Sequence, residues 1–575
     1  MSGMAGAVLY LLAAYAITLP SGLIAGQAGP SSDLVAALKL ACLAAFAWHT
    51  AAVLGKRRGA AASAFALAAT TGLVWASLAG MGLYKVVALQ PFDFLAVMFA
   101  LDDARRTLIA VLGEHGVALA LGALALLVLA AGAAAWLLLR LARAASARVA
   151  PGPRVVVLCF GLLSYLVASD LWHAANELVL YARWAAGSPF HLPDPLVPDY
   201  SAIAIRSKES VFIVQLESVN AHAVFERTGD AVGYRARIPQ PGLETLLKEG
   251  GGVLFPLFWA NGPGTNRAWE SVLCAVSGNG GPPFSIDPLR LARRTCLPAK
   301  LAGAGYSTVF LYAYFDLEFF NLGAFAKRVG FQDVAYGPRL MAEGDRRFPW
   351  AYDDCVFYRR AFEYLAKQGL DRRERVLAYF EVGMNHAPFF GTMKHPEAHP
   401  YREPRGQAQH YLNAVAEQDH CLLEFWRGFQ ALRRDDIHLF VLPDHGMAVP
   451  GVPLPDPFFA TWLAYVPPAR RRAEFRPRAV LAPVPSQAQL YPTILELLGG
   501  QVTPASFAFA LRGEPAPARY QDCQALGASS QHLIVYRNGQ RTEFRARTGE
   551  VVTPAGQRVA ADAGTFHERF GCGAP

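Results

Sequence analysis

Hydrophobic and polar positions divide the chain into two parts with different periods. In the first third, apolar stretches follow one another with few charges: residues 6–26, 34–55, 60–83, 116–139 and 154–174. Each is close to the roughly 20 residues that carry a helix across a bilayer. The pattern predicts five transmembrane helices within residues 1–180, the first interrupted by Pro20 and Gly22. No basic residue precedes that first stretch, and it is longer than a signal peptide's apolar core, so it reads as a span rather than a cleaved leader.

Cations between the apolar stretches set the expected orientation. Lys56, Arg57 and Arg58 separate the second and third, while Arg140, Arg143, Arg148 and Arg154 surround the connection of the fourth and fifth. By the positive-inside rule both connections are cytoplasmic, which puts everything beyond about residue 180 on the outer side. The segment 90–114 is too charged to cross but apolar on one side, suiting either an interfacial helix or a packed loop helix. Residues 181–206, rich in proline, read as a linker.

From residue 207 the period changes. "VFIVQL", "GVLFPLF", "STVFLYA", "RVLAYFEV" and "IHLFVLP" are short branched or aromatic runs, suited to strands buried on both faces. Between them lie helical patterns such as "RAWESVLCAVSG", "FNLGAFAKRVG", "CVFYRRAFEYLAKQG" and "AQHYLNAVAEQDHCLLEFWRGFQALRR". This alternation predicts an α/β domain with a mostly parallel central sheet over residues 207–500. Residues 501–575 read as a small β-rich subdomain, with a hairpin turning at Asn538 and Gly539.

Composition fits this division. The mean hydropathy of +0.23 and a charged fraction of 17% are those of a chain with a membrane portion. A net charge of +8 and a pI near 9.0 raise the question of nucleic acid. Several of the cations are the topology signals above, and no basic stripe or zinc-finger spacing accompanies them, so no nucleic-acid partner is expected. Cys42 and Cys159 fall in spans, which leaves Cys274, Cys296, Cys355, Cys421, Cys523 and Cys572 in the outer part. Six cysteines allow three disulfides in an oxidising compartment, with fifteen connectivities. Pairing of near neighbours, Cys274 with Cys296 and Cys523 with Cys572, is the leading expectation.

Ligands of parallel α/β sheets bind outside the carboxyl ends of the strands, so polar residues at those ends are the candidates for chemistry. "VFIVQLESVNAH" delivers Glu217, "GPGTNRAWES" brings Thr265 to a helix entrance, "YFEVGMNHAPFF" presents His386 and "HLFVLPDHGM" supplies Asp444 and His445. Hard oxygen and nitrogen donors at three such ends can share a divalent cation. That cation would lower the pKa of the Thr265 hydroxyl and aim it at an electrophile, with the helix entrance favouring an anion. Taken singly, each residue has a plain structural reading: a cap, a turn or a solvated charge.

At these residues the chain resembles the alkaline phosphatase superfamily, and within it the lipoteichoic acid synthase branch of sulfatase-like phosphoglycerol transferases. The resemblance rests on "VFIVQLES", "GPGTNRAWESVLCA", "NHAPF", "PDHGM" and a later "SQAQLYPTILELLGG". It implies metal ligands Glu217, Thr265, Asp444 and His445, with Thr265 also the nucleophile and His386 in the substrate site. It further implies one divalent metal ion, Mn²⁺ favoured, with Zn²⁺ and Mg²⁺ as alternatives. The implied reaction moves a phospholipid head group, phosphoglycerol from phosphatidylglycerol, through a covalent threonine adduct to a glycan or lipid acceptor of the cell envelope. The implied location is multi-pass in the inner or plasma membrane, with the catalytic domain outside the cytoplasm in the periplasm.

Asp316 and Phe320 match the region where phosphoglycerol enzymes hold the head group, but Leu322 stands where an arginine is expected, and Arg267 is the alternative cation. Phosphoethanolamine transferases share the plan, yet they usually carry a further histidine soon after Asp-His-Gly, and "MAVPGVPLPDPFFATW" has none. "CLPAK" at 296–300 is a near miss for an arylsulfatase signature, with Lys300 in place of arginine and too far beyond the first strand. A hydrolase and a non-catalytic binding protein complete the alternatives.

Overall fold

A computed structural model describes residues 200–560, apart from 229–232, 277–293, 315–316, 318–321, 346–350, 387–388, 390–394, 449–455, 502, 530–531 and 546–549. The five apolar segments lie outside the described residues. Among the described residues no helix is long and apolar enough to cross a membrane.

Strands and helices alternate along most of this region. The strands are β1 Ser210–Leu216, β2 Phe225–Arg227, β3 Tyr234–Ala236, β4 Val253–Trp259, β5 Ser307–Tyr312, β6 Asp333–Tyr336, β7 Val376–Glu381, β8 Ile437–Pro443, β9 Ala460–Val466 and β10 Arg478–Ala479. Eight of them form one sheet in the order β10-β4-β9-β8-β1-β7-β5-β6, and β2 with β3 makes a small separate ribbon. Every neighbouring pair in the large sheet is parallel except the two made by β9. The mostly parallel sheet expected from the apolar runs is therefore present.

The antiparallel β9 has no counterpart in the sequence reading. Its seven residues are all buried, so they show no polar alternation, and a proline-rich stretch precedes them. Such a run does not reveal its direction; the neighbours β4 and β8 do.

Alternate side chains of each strand enter opposite layers. Phe212 and Phe380 point to one face, where Phe425 and Phe429 of the Gly406–Ala431 helix meet them edge-on. Phe310 and Tyr379, stacked at 5.2 Å, point to the other face, beneath Trp269 of the Thr265–Cys274 helix. Complete burial of such side chains contributes about 1.5–3 kcal/mol each. This doubly covered core fixes the sheet on which the site is built.

Two disulfides pin helices to one another. Cys274–Cys296 joins the end of the Thr265–Cys274 helix to the residue capping Leu297–Gly303, as expected. Cys355–Cys421 ties the Asp354–Lys367 helix to Gly406–Ala431. Cys523 is also disulfide-bonded, while Cys572 lies outside the described residues.

A second sheet, antiparallel, follows: β11 Cys523–Ser529, β12 His532–Arg537, β13 Gln540–Arg545, β14 Glu550–Val552 and β15 Arg558–Ala560. Asn538 and Gly539, both with positive φ, turn β12 into β13 where the sequence places the hairpin. Tyr536 stacks on Trp259 at 4.4 Å, and the Asn261 side chain donates to the Ala525 carbonyl at 2.9 Å. These contacts attach the small sheet to the end of β4.

Candidate active site

Parallel pairing brings the candidate residues together. β1 and β8 run side by side with Leu216 opposite Pro443, so the next residues, Glu217 and Asp444, emerge as neighbours at the carboxyl edge. The Asp444 amide donates to the Leu216 carbonyl at 2.8 Å and extends the ladder by one step. Both carboxylates are buried, at 1% and 0% exposure, and His445 beside them is 8% exposed.

Local backbone geometry then aims the side chains. Ser218 adopts φ 55°, which turns its amide toward Asp444 Oδ1 at 2.7 Å and its hydroxyl toward Glu217 Oε1 at 2.5 Å. Gly446 must be glycine, because a Cβ there would lie 2.1 Å from the Pro457 carbonyl oxygen. The His445 Nδ1–H donates to the Gly446 carbonyl at 2.6 Å, which leaves the Nε2 lone pair facing Asp444 Oδ2 at 3.3 Å and Glu217 Oε1 at 3.7 Å.

Thr265 arrives from the loop after β4 as the first residue of its helix, following Gly264 in extended conformation. Its hydroxyl lies 3.5 Å from Glu217 Oε2. The helix is anchored from below, where the Trp269 indole donates to the buried Glu381 at 2.9 Å. Its entrance therefore stands over the carboxylate pair with backbone N–H groups directed at whatever binds there.

The remaining expected residues fall in different places. His386 is half-buried on the connection after β7, next to Asn385, whose side-chain amide donates to the Glu217 carbonyl at 3.1 Å and the Ser218 carbonyl at 3.3 Å. Arg267, the alternative cation for the head group, is buried at 6% exposure and pairs with Glu270 at 2.6 Å. Leu322 is a core side chain at the start of the Leu322–Val329 helix. Asp316 and Phe320 lie outside the described residues.

Sequence reasoning passed over three contributors. Tyr314 donates its hydroxyl to Glu217 Oε2 at 2.7 Å from the end of β5. It packs so tightly on Gly383 that a Cβ there would lie 2.5 Å from its ring. Asn385 and Ser218 are the other two. Ser218 and Asn385 sit inside quoted motifs beside Glu217 and His386, and Tyr314 directly follows "STVFLYA"; their roles come from backbone direction that the sequence does not display.

The electrostatics are those of a site short of positive charge. Burial and the neighbouring Glu217 charge push the Asp444 carboxyl up, against the opposing pull of His445, the Ser218 amide and Thr265. Burial by itself would lower the His445 imidazole, but Asp444 and Glu217 outweigh it and raise it. Burial, then the Asp444 charge, raises Glu381 well above the carboxylate range. Burial likewise keeps Tyr314 a neutral donor.

These residues fit a divalent cation. Asp444 Oδ2 is buried and has no hydrogen-bond partner. His445 Nε2 and the two carboxylate oxygens it faces need a positive charge between them, which a proton on Nε2 or a metal ion supplies. Glu217, Asp444 and His445 each offer one ligand atom, all within 4.8 Å of one another. Two carboxylates, an imidazole and a hydroxyl form the donor set of Mn²⁺, Mg²⁺ or Zn²⁺.

A mostly parallel sheet whose carboxyl edge carries a metal-ready cluster beneath a helix entrance defines a class of ester-processing enzymes. The family profile described as Sulfatase matches residues 209–500, just over half of the 575 residues, and the chain belongs to that family. The domain is alkaline-phosphatase-like, a fold of metal-dependent enzymes that transfer or hydrolyse phosphoryl or sulfuryl groups. A Vibrio parahaemolyticus protein of the alkaline phosphatase superfamily is similar at 18% identity and a TM-score of 0.50, over 64% of this chain and 86% of that one. The lipoteichoic acid synthase LtaP of Listeria monocytogenes aligns at 18% identity and 0.47, over 62% and 90%. The periplasmic domain of EcEptC from Escherichia coli aligns at 14% and 0.43, over 58% and 93%. No curated protein matches the sequence.

Proposed function

We propose that this protein is a membrane-anchored, metal-dependent phosphotransferase that moves a phospholipid head group, phosphoglycerol above others, through a covalent adduct on Thr265 to an acceptor hydroxyl of a cell-envelope glycan or lipid. The observation that carries this reading is the Thr265 hydroxyl at a helix entrance, 3.5 Å from Glu217 within a cluster short of positive charge. Glu217, Asp444, His445 and Thr265 would hold one divalent ion, Mn²⁺ by resemblance, which supplies positive charge opposite the developing negative charge.

The residues of the chain do the rest. Thr265 Oγ1 forms a bond to phosphorus as the bond from phosphorus to the diacylglycerol oxygen breaks, and the threonine proton is matched by one gained by the departing diacylglycerol. An acceptor hydroxyl then attacks the same phosphorus, restoring the Thr265 hydroxyl and releasing its own proton. Helix N–H groups orient the phosphate oxygens, and Tyr314 and Ser218 hold the Glu217 carboxylate in place. His386, half-buried beside Asn385, faces the head group in this reading.

Five apolar segments ahead of the domain support a donor drawn from the bilayer. Two disulfides within the domain support an oxidising, extracytoplasmic setting such as the periplasm. The test is mass spectrometry of the full-length protein in lipid vesicles containing phosphatidylglycerol or phosphatidylethanolamine with Mn²⁺. A glycerophosphate adduct on Thr265, absent in Thr265→Ala, is the expected result. A phosphoethanolamine adduct moves the assignment to that donor, and no adduct on metal-loaded protein overturns the covalent reading.

A further inference from the structure

A second cluster of ligating side chains, sharing no residue with the carboxyl-edge site, lies between the Pro396–Ala398 turn and the Gly406–Ala431 helix. His395 Nδ1 is 3.3 Å from Glu397 Oε1, and the same oxygen is 3.9 Å from His420 Nε2. The three ligand atoms all lie within 4.8 Å of one another. The two imidazole rings sit 5.1 Å apart at 35°. Tetrahedral zinc with nitrogen and oxygen ligands spaces them about 3.4 Å apart, so small rotamer adjustments close the set.

Behind His395 lies an observation that an ordinary surface ion pair does not explain. Asp353 is 99% buried; its Oδ1 caps the Asp354–Lys367 helix through the Val356 amide at 3.1 Å. Its Oδ2 is buried without a hydrogen-bond partner, and so is His395 Nε2, 3.6 Å away. A buried carboxylate behind the outer nitrogen of an imidazole is the usual support of a metal-ligating histidine, since it holds the proton on that nitrogen and frees the other for the ion. The Asp353 oxygen has that place here, and Nδ1 faces Glu397 and His420.

The surroundings are already fixed. Glu417, itself buried, accepts from the His395 amide at 3.0 Å and lies 2.9 Å from His399 Nε2. The Cys355–Cys421 disulfide joins the position two residues after Asp353 to the one immediately after His420. The histidine side chains are 19% and 30% exposed and Glu397 is 62% exposed, so an ion can enter from solvent and keep a water ligand.

We propose that His395 Nδ1, Glu397 and His420 Nε2 form a second metal site for a borderline divalent ion such as Zn²⁺, with Asp353 as the residue that orients His395. Two imidazoles and one carboxylate suit Zn²⁺ better than Mg²⁺ or Ca²⁺, which favour all-oxygen sites. The ion ties the connection that also carries His386 to the Gly406–Ala431 helix.

The experiment is metal stoichiometry on the full-length protein in detergent, stripped with chelator, loaded with Zn²⁺, desalted and measured by inductively coupled plasma mass spectrometry. Wild type is expected to hold two Zn²⁺ per chain, His420→Ala one, Glu217→Gln/Asp444→Asn one, and the triple variant none. Asp353→Asn is expected to weaken the second site 10–100-fold in competition with a chromophoric chelator. Zinc content in His420→Ala equal to wild type, or none in Glu217→Gln/Asp444→Asn with an unchanged melting curve, overturns the site. A wild-type content of one that vanishes in His420→Ala supports this site and counts against the carboxyl-edge one, so the two readings fail separately.

Discussion

Two buried carboxylate–imidazole clusters occupy opposite ends of the same strand pair, β1 and β8. At the amino end, Glu209 meets His438 at 2.9 Å, Arg471 at 2.9 Å and Arg470 at 3.0 Å, while His438 Nδ1 lies 2.9 Å from the Tyr465 hydroxyl. At the carboxyl end, Glu217, Asp444 and His445 have hydroxyl and amide partners but, among the described residues, no guanidinium. Burial alone would raise the Glu209 carboxyl, but His438 and Arg471 outweigh it and hold it at about 2. Burial and Glu217 raise Asp444, and His445, the Ser218 amide and Thr265 oppose the rise without cancelling it. Similar groups at similar burial thus serve two ends: the arginine-compensated cluster closes a sheet edge, and the other has the donor set of a divalent cation.

The largest effects are expected from removing the proposed nucleophile at one end and the acid at the other. Thr265→Ala is expected to lower head-group release about 10⁴-fold or more, as losses of a nucleophile do, with the melting temperature little changed. Radiolabelled phosphatidylglycerol turnover in vesicles measures it, and substantial residual turnover would move the nucleophile elsewhere. Glu209→Gln should do the reverse, because it takes the anion from Arg470 and His438 and leaves Arg471 only Glu474. A stability loss of about 3 kcal/mol in denaturant titration, with turnover per folded molecule retained, is the expected outcome.

Acidity separates the two ends as well. Glu209 has a folded pKa below its unfolded value, so its contribution is complete above pH 4.5 and fades as pH falls towards about 2. Wild type and Glu209→Gln should therefore converge in stability as the pH is lowered through that window. Asp444 has the opposite sign: its raised pKa means that the metal-free protein loses stability as pH rises from the ordinary aspartate value through the folded one. Mn²⁺ at 100 times its dissociation constant should return about 2.7 kcal/mol at pH 8. Differential scanning calorimetry with and without Mn²⁺ reads this, and an equal gain in Asp444→Asn would place the ion elsewhere.

The smallest expected effect comes from Tyr314→Phe, which deletes one hydrogen bond to Glu217. Loss of an outer partner of this kind should weaken Mn²⁺ binding about tenfold without abolishing turnover. Isothermal titration calorimetry checks it; unchanged affinity would make Tyr314 a packing residue only.

Much of the central domain is legible in the sequence because the relevant signals are local. "IHLFVLP" matches β8 residue for residue, since a strand buried on both faces needs a nearly continuous apolar run, broken here only by His438. The Asn538-Gly539 turn is equally plain, because few residue pairs accept two positive φ values. β9 is not legible, and neither is the 3.6 Å approach of His395 to Asp353, 42 positions apart in sequence. Nor does the sequence show that His395 and His399 are largely shielded and contact the buried carboxylates of Asp353 and Glu417.

By itself the sequence determined which residues end the strands: Glu217, Asp444 and His445 follow apolar runs that can only be buried, and polar groups collect where those runs stop. The tertiary structure decided which ends became neighbours. Strand order put β8 beside β1 and carried Thr265 over them, and among the described residues it assigned arginines to one end of that pair and none to the other. Burial is written in local composition, whereas the charge around a buried group depends on side chains hundreds of residues away, whose arrival only the packed sheet and its helices specify.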